Sequence, residues 1–190
     1  TQLKAAMIKN NYGDALLHRT IGEPELFKMI WAGWSEETQL KAAMIKNNYG
    51  DALLHQTIEK PELFKMIWAG WSEETQLKAV MIQNNSGDTL LAQTICNLEL
   101  FKMIWAGWSE ETQLKAAMIQ SGYRYLLLHW TSYTPELFNM IWARWSKETQ
   151  LKAVMIQNNS GDTLLAQTIC NLELFKMIWA GWSEETQLKA

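Results

Sequence analysis

Apolar residues along the chain fall in short runs with helical spacing, and the same three runs return in the same order. In the first set, Asn10-Asn11-Tyr12-Gly13 is turn chemistry, and it predicts a helix from about Asp14 to Ile21 with Asp14 as its cap. A second helix is predicted from Pro24, because a missing N–H costs nothing at a first helical position. It carries Leu26, Phe27, Met29, Ile30 and Trp31, apolar on nearly every side, which places it at the centre of a layer. Gly33 is expected to end it in the left-handed conformation, with Trp34 folding back onto Met29. A third helix is predicted from Ser35. Ser35 is a good cap, Glu36 and Glu37 suit the positive end of the helix dipole, and Glu37 stands four residues before Lys41. Leu40, Ala43 and Met44 are expected to face inward. No β-branched run alternates with period two, so no strand is predicted.

Thr-Gln-Leu-Lys-Ala recurs at Thr1, Thr38, Thr75, Thr112, Thr149 and Thr186. Residues 1–190 therefore read as a single array of 37-residue units, 1–37, 38–74, 75–111, 112–148 and 149–185, with 186–190 opening a sixth. Units 75–111 and 149–185 are identical. The first two differ only at Arg19/Gln56, Gly22/Glu59 and Glu23/Lys60, and unit 112–148 is the divergent one. A fixed period of this length predicts an all-α helical-repeat solenoid with about three short helices per unit, each unit sharing its core with its neighbours. The start and stop inside the third helix predict uncapped ends and head-to-tail self-association.

Asn85-Ser-Gly-Asp-Thr-Leu-Leu-Ala-Gln-Thr-Ile-Cys-Asn-Leu-Glu-Leu-Phe-Lys-Met-Ile-Trp-Ala-Gly107 resembles the ankyrin repeat. Gly87, Thr89 and Leu91 match that family's Gly-x-Thr-x-Leu opening. His18 and His55 match the histidine of its Thr-Pro-Leu-His, and Asn97-Leu-Glu-Leu-Phe-Lys resembles its second helix. Ankyrin units have about 33 residues and a β-turn finger between layers. Here Ser-Glu-Glu-Thr-Gln-Leu-Lys-Ala-Ala-Met-Ile fills that place and is helix-forming. The expectation is an ankyrin-like helix pair with a third helix instead of the finger, in an ankyrin/armadillo-like right-handed superhelix. The resemblance implies protein recognition, and it implies that the histidine supports turn hydrogen bonding. It also fits proteins of bacteria that live inside host cells.

Seventeen Lys and Arg against twenty Asp and Glu leave a net charge of −3, which provides no basic excess for a phosphate backbone. No window reads as a membrane span or a signal peptide. Cys96 and Cys170 share one repeat position. They are expected to be unbridged, which fits a reducing compartment such as the cytoplasm. His18, His55 and His129 also share a position, with no acid or thiol at ligand spacing beside them, so no metal is expected. No phosphate loop, activated nucleophile or carboxylate pair is visible, so no cofactor and no enzymatic activity are expected. Ten tryptophans occupy the positions of Trp31 and Trp34, and all ten methionines those of Met7 and Met29; both sets read as packing.

Differences between units cluster in the turn and the first helix, while the other two helices hardly vary. Stacking requires a repeated core, whereas an outward ridge is free to change. The ridge carries Tyr12, Arg19, Gln56, Gln93, Gln167, Glu59 and Lys60, and in the divergent unit Tyr123, Arg124, Tyr125, Trp130 and Tyr133. Aromatics and Arg are the types enriched at binding hot spots, so this ridge is the candidate surface for another protein. Against that stands simple drift of the divergent unit. There Arg124 replaces the glycine of Gly87 and Arg144 that of Gly107, each with an expected left-handed strain. Two alternatives to a protein-binding scaffold stay open. One is a purely structural array, natural or designed, without a ligand. The other is a nucleic-acid reader resembling TAL-effector repeats, with Asn10-Asn11 and Asn47-Asn48 at the reading point.

Overall fold

The computed structural model of the chain describes residues 2–119, 126–158 and 160–182. It divides into two compact bodies, Thr1–Gly107 and Trp108–Ala190. The first holds α1 (Gln2–Ala6), α2 (Leu16–Thr20), α3 (Pro24–Trp31), α4 (Glu36–Ala43), α5 (Leu53–Thr57), α6 (Pro61–Ala69), α7 (Glu73–Val80), α8 (Leu90–Thr94) and α9 (Leu98–Ala106). The second holds α10 (Glu110–Ala117), α11 (Leu127–Thr131), α12 (Pro135–Trp142), α13 (Lys147–Val154), α14 (Leu164–Thr168) and α15 (Leu172–Ala180). Among the described residues the fold is all-helical. In each body helices consecutive in sequence pack together, as do equivalent helices of neighbouring units: α2 on α5, α5 on α8 and α4 on α7 in the first, α11 on α14 and α10 on α13 in the second.

The second helix of each unit makes the core. Pro24, Pro61 and Pro135 sit in its first turn. Leu63, Phe64, Ile67 and Trp68 are buried in α6, as are Leu100, Phe101, Ile104 and Trp105 in α9. Burying a side chain of this size stabilises by about 1.5–3 kcal/mol. Each Phe stacks on the Trp one turn later, as Phe64 does on Trp68 at 5.4 Å. The third helices start on Ser35, Ser72, Ser109 and Ser146, whose side chains accept from the N–H three residues on. Glu37 pairs with Lys41 at 2.6 Å, and the pair recurs at Glu74, Glu111 and Glu148.

Four local expectations are corrected. Asp14 does not cap the first helix, which begins later, at Leu16 with Ala15 as its cap residue. Asp14 is held instead in a hairpin turn by its own N–H and C=O. Gly33 and its equivalents are not left-handed: Gly70 has φ −82° and Gly107 φ −79°, and the second helix ends in a tighter turn in which their N–H groups donate to the Ile67 and Ile104 carbonyls. Arg144, in the place of Gly107, therefore meets no left-handed strain, while Arg124 lies outside the described residues. The methionines do not all fill the core. Met44, Met81, Met118 and Met155 cap the third helices and are about half exposed, and the buried stripe is Ala42, Ala43 and Ile45. The helix ends at Ala43, so a 3,4 spacing carried past it to Met44 no longer tracks one face. Trp34 lies against Trp31, with ring centroids 6.1 Å apart, while Met29 stays exposed.

The third helix also does not replace a hairpin finger. It is followed by one. Isolated antiparallel bridges join Lys9 to Ala15, Lys46 to Ala52, Gln83 to Thr89 and Gln157 to Thr163. The 37-residue unit holds both the helix and the turn.

Candidate functional site

The turn is built from one asparagine. Asn10 Oδ1 accepts from the N–H groups of Tyr12 and Asp14, at 2.8 and 3.0 Å. The Asn10 N–H donates to the Asp14 carbonyl, and the Gly13 N–H donates back to the Asn10 carbonyl. Asn47, Asn84 and Asn158 repeat the two side-chain contacts. Short polar side chains that bond their own backbone two residues on are the cause of such turns. Gly13 and Gly50 are left-handed, at φ +77° and +81°, and a Cβ there would run into Asn48 and Asn85 of the next turn. Adjacent turns are joined: Asn48 Nδ2 donates to the Asn11 carbonyl at 3.3 Å and Lys9 Nζ to the Lys46 carbonyl at 2.6 Å.

The first helix rises from this turn, and in α2, α8 and α14 its start is satisfied in one of two ways. His18 Nδ1 accepts from the Ala15 N–H at 3.1 Å. Where the histidine position holds Ala92 or Ala166, a threonine replaces the earlier alanine, and Thr89 Oγ1 or Thr163 Oγ1 accepts from that residue's N–H at 3.2 Å. The histidines are buried, and burial pushes His18, His55 and His129 below the usual imidazole pKa. The neighbouring Asp14 and Asp51 carboxylates and the backbone carbonyls oppose that shift but do not overcome it. His129 Nε2 faces the Asp162 carbonyl of the next turn at 3.3 Å. Among the described residues no group of three His, Cys, Asp or Glu converges as a metal site.

Outward from these histidines lies an open cleft of about 520 Å³ in the first body, walled by His18, Asp51, His55, Gln56, Lys60 and Gln93. It therefore gathers four of the ridge positions, since Glu59 lines it too. Arg19 faces a separate hollow beside Lys9, Asn10 and Asp14. Tyr12 is exposed at the tip of its turn. In the second body Tyr133 and Gln167 share a smaller cleft with Cys170 and Asn171, and Gln167 Nε2 donates to Tyr133 Oη at 3.2 Å. Trp130 is half-buried. Tyr123, Arg124 and Tyr125 lie outside the described residues. Cys96 and Cys170 are free and exposed.

The tryptophans are in the core. Trp31, Trp68, Trp71, Trp105, Trp108, Trp142 and Trp145 are all buried, so they offer no ladder for bases. Two devices that link neighbouring units were not read from the sequence. Gln39 donates from Nε2 to the Trp31 carbonyl of the preceding unit and accepts at Oε1 from Trp71 Nε1 of its own, both at 3.1 Å. Gln113 accepts in the same way from Trp145 at 3.0 Å. Glu36 accepts from both the N–H and the hydroxyl of Ser72, at 2.7 and 2.6 Å, and Glu110 does so from Ser146. The only sequence signal for them is a polar residue unchanged at a fixed repeat position without a helix-start role of its own, which Gln39 is. No protein family model matches this chain, and no curated protein matches it.

Proposed function

We propose that the chain is a protein-binding scaffold, a helical-repeat solenoid of ankyrin-like units with an added third helix. The observation that carries the reading is the cleft of the first body. Gln56, Glu59 and Lys60 line it, and these are positions at which units differ, whereas the residues that join units, Gln39, Trp71, Glu36 and Ser72, are the same in nearly every unit. Surface free to vary on a scaffold obliged to repeat is the arrangement that recognition by stacked units requires. Gln56 and Gln93 line this cleft, and Arg19, Tyr133 and Gln167 offer polar and aromatic groups on the same helical position or just after it. The nucleic-acid reading receives no support from the turn. Asn10 spends its side-chain oxygen on its own backbone, and Asn48 spends its amide nitrogen on Asn11, so those two atoms are not free for a base.

A photo-crosslinking residue placed at Gln56 or Gln93, with Lys41 as the control position, tests this in lysate. A protein captured at both cleft positions, absent at Lys41 and lost on Glu59→Lys/Lys60→Glu, supports the scaffold. Equal capture at all three positions removes the cleft from the reading. No capture at any position favours an array without a ligand.

A further inference from the structure

Units 1–37 and 38–74 differ at three positions only, Arg19/Gln56, Gly22/Glu59 and Glu23/Lys60, and four of those six residues, Gly22, Gln56, Glu59 and Lys60, line one cleft. The backbone does not require a glycine at Gly22, where a Cβ would meet nothing within 4 Å; the effect of having no side chain there is to leave the cleft open. The polar groups of the wall are not used up by the fold. Among the described residues the side chains of Gln56 and Gln93 make no hydrogen bond, and Asp51, Glu59 and Lys60 form no ion pair. Gln167, at the same repeat position in the second body, is by contrast bonded to Tyr133. Burial keeps His18 and His55 neutral, so two carboxylates face a single ammonium in the cleft.

A second hollow opens from two of the same residues. Glu59 and Lys60 also border an apolar groove of about 490 Å³ whose sides are Pro24, Pro61, Leu63 and Met66. The other charged groups of the groove are engaged: Lys28 pairs with Glu25 at 2.8 Å, and Glu62 with Lys65 at 3.1 Å. Apolar surface therefore lies directly beside a wall of unengaged acceptors with an excess of negative charge. Gln56 sits in α5 and Gln93 in α8, and these helices pack on each other. Packed helices lie about 8–10 Å apart and an extended chain advances about 3.3 Å per residue, so the two carboxamides meet one extended peptide at groups about three residues apart. A carboxamide donates and accepts at once, as a peptide group does.

We propose that the protein bound here docks through an extended peptide segment, which places an arginine in the cleft beside Asp51 and Glu59 and an apolar side chain such as leucine in the Pro24–Pro61 groove, its backbone held by Gln56 and Gln93. This rests on the scaffold reading and names the chemistry of what the scaffold binds. Arginine follows from the wall. A guanidinium carries its N–H donors in a planar fork and has no acceptor, and the two carboxylates with the two carboxamide oxygens supply acceptors from several sides. The extended form follows from the carboxamides, because a helical segment spends its backbone groups internally and leaves Gln56 and Gln93 without partners.

Selection of short random peptides displayed against the intact chain tests it. The enriched sequences are expected to share an arginine and an apolar residue at a fixed short separation. In a synthetic peptide of the enriched sequence, exchanging arginine for citrulline keeps the shape and removes the charge. That exchange is expected to weaken binding by about tenfold or more, the loss that follows removal of a hydrogen bond between charged groups. Because the change is made in the peptide, it leaves the fold of the chain untouched. Glu59→Lys alters an exposed side chain at a position that holds glycine in one unit and cysteine in two others, so it is expected to keep the helical circular dichroism and lose the peptide. It is also expected to bind the peptide with glutamate in place of arginine better than the wild-type chain does. Enriched peptides without a basic residue, or a citrulline peptide that binds as well as the original, would overturn the proposed chemistry; a protein captured at Gln56 and Gln93 would still leave the scaffold standing. A selection that enriches no peptide would overturn the extended mode. Capture of a protein would then mean a folded docking element, whereas no capture would remove the scaffold reading as well.

Discussion

One substitution, Gly→Ala, is expected to act with opposite sign at three glycines. Gly70 ends a helix at φ −82°, and a Cβ there would meet nothing nearer than the Ile67 carbonyl oxygen at 3.6 Å, an ordinary contact. Alanine is therefore compatible with its backbone, and Gly70→Ala is expected to stabilise by about 0.4–1 kcal/mol by narrowing the unfolded ensemble. Gly161 is left-handed at φ +84° with open space around a would-be Cβ. Its cost is the dihedral alone, about 1–2 kcal/mol, less the same unfolded-state gain. Gly50 combines φ +81° with a Cβ that would overlap the Asn85 side chain. Displacing Asn85 adds an overpacking cost of about 1–3 kcal/mol, so Gly50→Ala is the most damaging of the three. Urea unfolding followed by far-ultraviolet circular dichroism, each variant set against the wild-type transition, gives the order directly. A Gly70→Ala that destabilises by about 1 kcal/mol or more would return that glycine to the left-handed state expected of a helix-ending glycine and refute the reasoning.

Three further outcomes are expected. The Glu36 carboxylate is held below its ordinary pKa by the Ser72 hydroxyl, then by Thr75 and the Ser72 N–H; Glu110 is held down by Thr149 and Ser146. A depressed carboxylate contributes stability that is present above its unfolded pKa and lost as pH falls through the folded one. Glu36→Gln/Glu110→Gln should therefore flatten the fall of the urea midpoint below about pH 4.5. The histidines are held neutral by burial, so the unfolded chain binds protons first. Stability is complete above about pH 6.5, falls below it, and levels off under the lowered folded pKa. Importing the threonine solution as Ala52→Thr/His55→Ala should remove the share of that loss owed to His55 and add a cap worth about 1 kcal/mol that α5 lacks, checked by urea midpoints at pH 7 and pH 5. Met81→Gln, at a half-exposed side chain, should change stability by no more than about 0.5 kcal/mol, whereas Leu54→Ala, at a fully buried one, should cost about 2–5 kcal/mol in the same assay.

What the sequence made legible is what local chemistry decides. The serine caps, the prolines in the first turns and the Glu37–Lys41 pairing need only neighbours within one helix turn, and all are found as expected. The burial of the tryptophans was legible because two large apolar positions per unit have nowhere else to go. What failed depended on where a helix stops. Met44 looked inward only while the helix was carried past Ala43, and Gly33 looked left-handed only because glycine often is at helix ends. The hairpin turn was missed for a related reason. A single bridge leaves no alternating pattern, and the extra residues of the unit were read as replacing it. The ridge was legible as positions that vary, but its gathering of Gln56, Gln93, Glu59 and Lys60 into one cleft depends on how α2, α5 and α8 pack, which no spacing shows.

In the proposed scaffold, the cleft wall would connect this packing to recognition. Ala15 with His18 and Thr89 with Ala92 both satisfy a free N–H at the start of the same helix, but by different donors and acceptors. Neither bond is obligatory, since His55 Nδ1 and His129 Nδ1 have no partner. In units 75–111 and 149–185 the two positions change together, while Leu126 changes alone beside His129. What changes with them is the surface. His18 and His55 contribute imidazole rings to the cleft, and the alanine of the next unit contributes none, so Gln93 completes that wall instead. The helix geometry stays the same on either side, with α5 spanning Leu53–Thr57 and α8 spanning Leu90–Thr94, one unit apart. A paired exchange of cap chemistry thus rewrites the floor of a cleft without moving the helices that form it. That is how an array bound to repeat its core can still present units that are not alike.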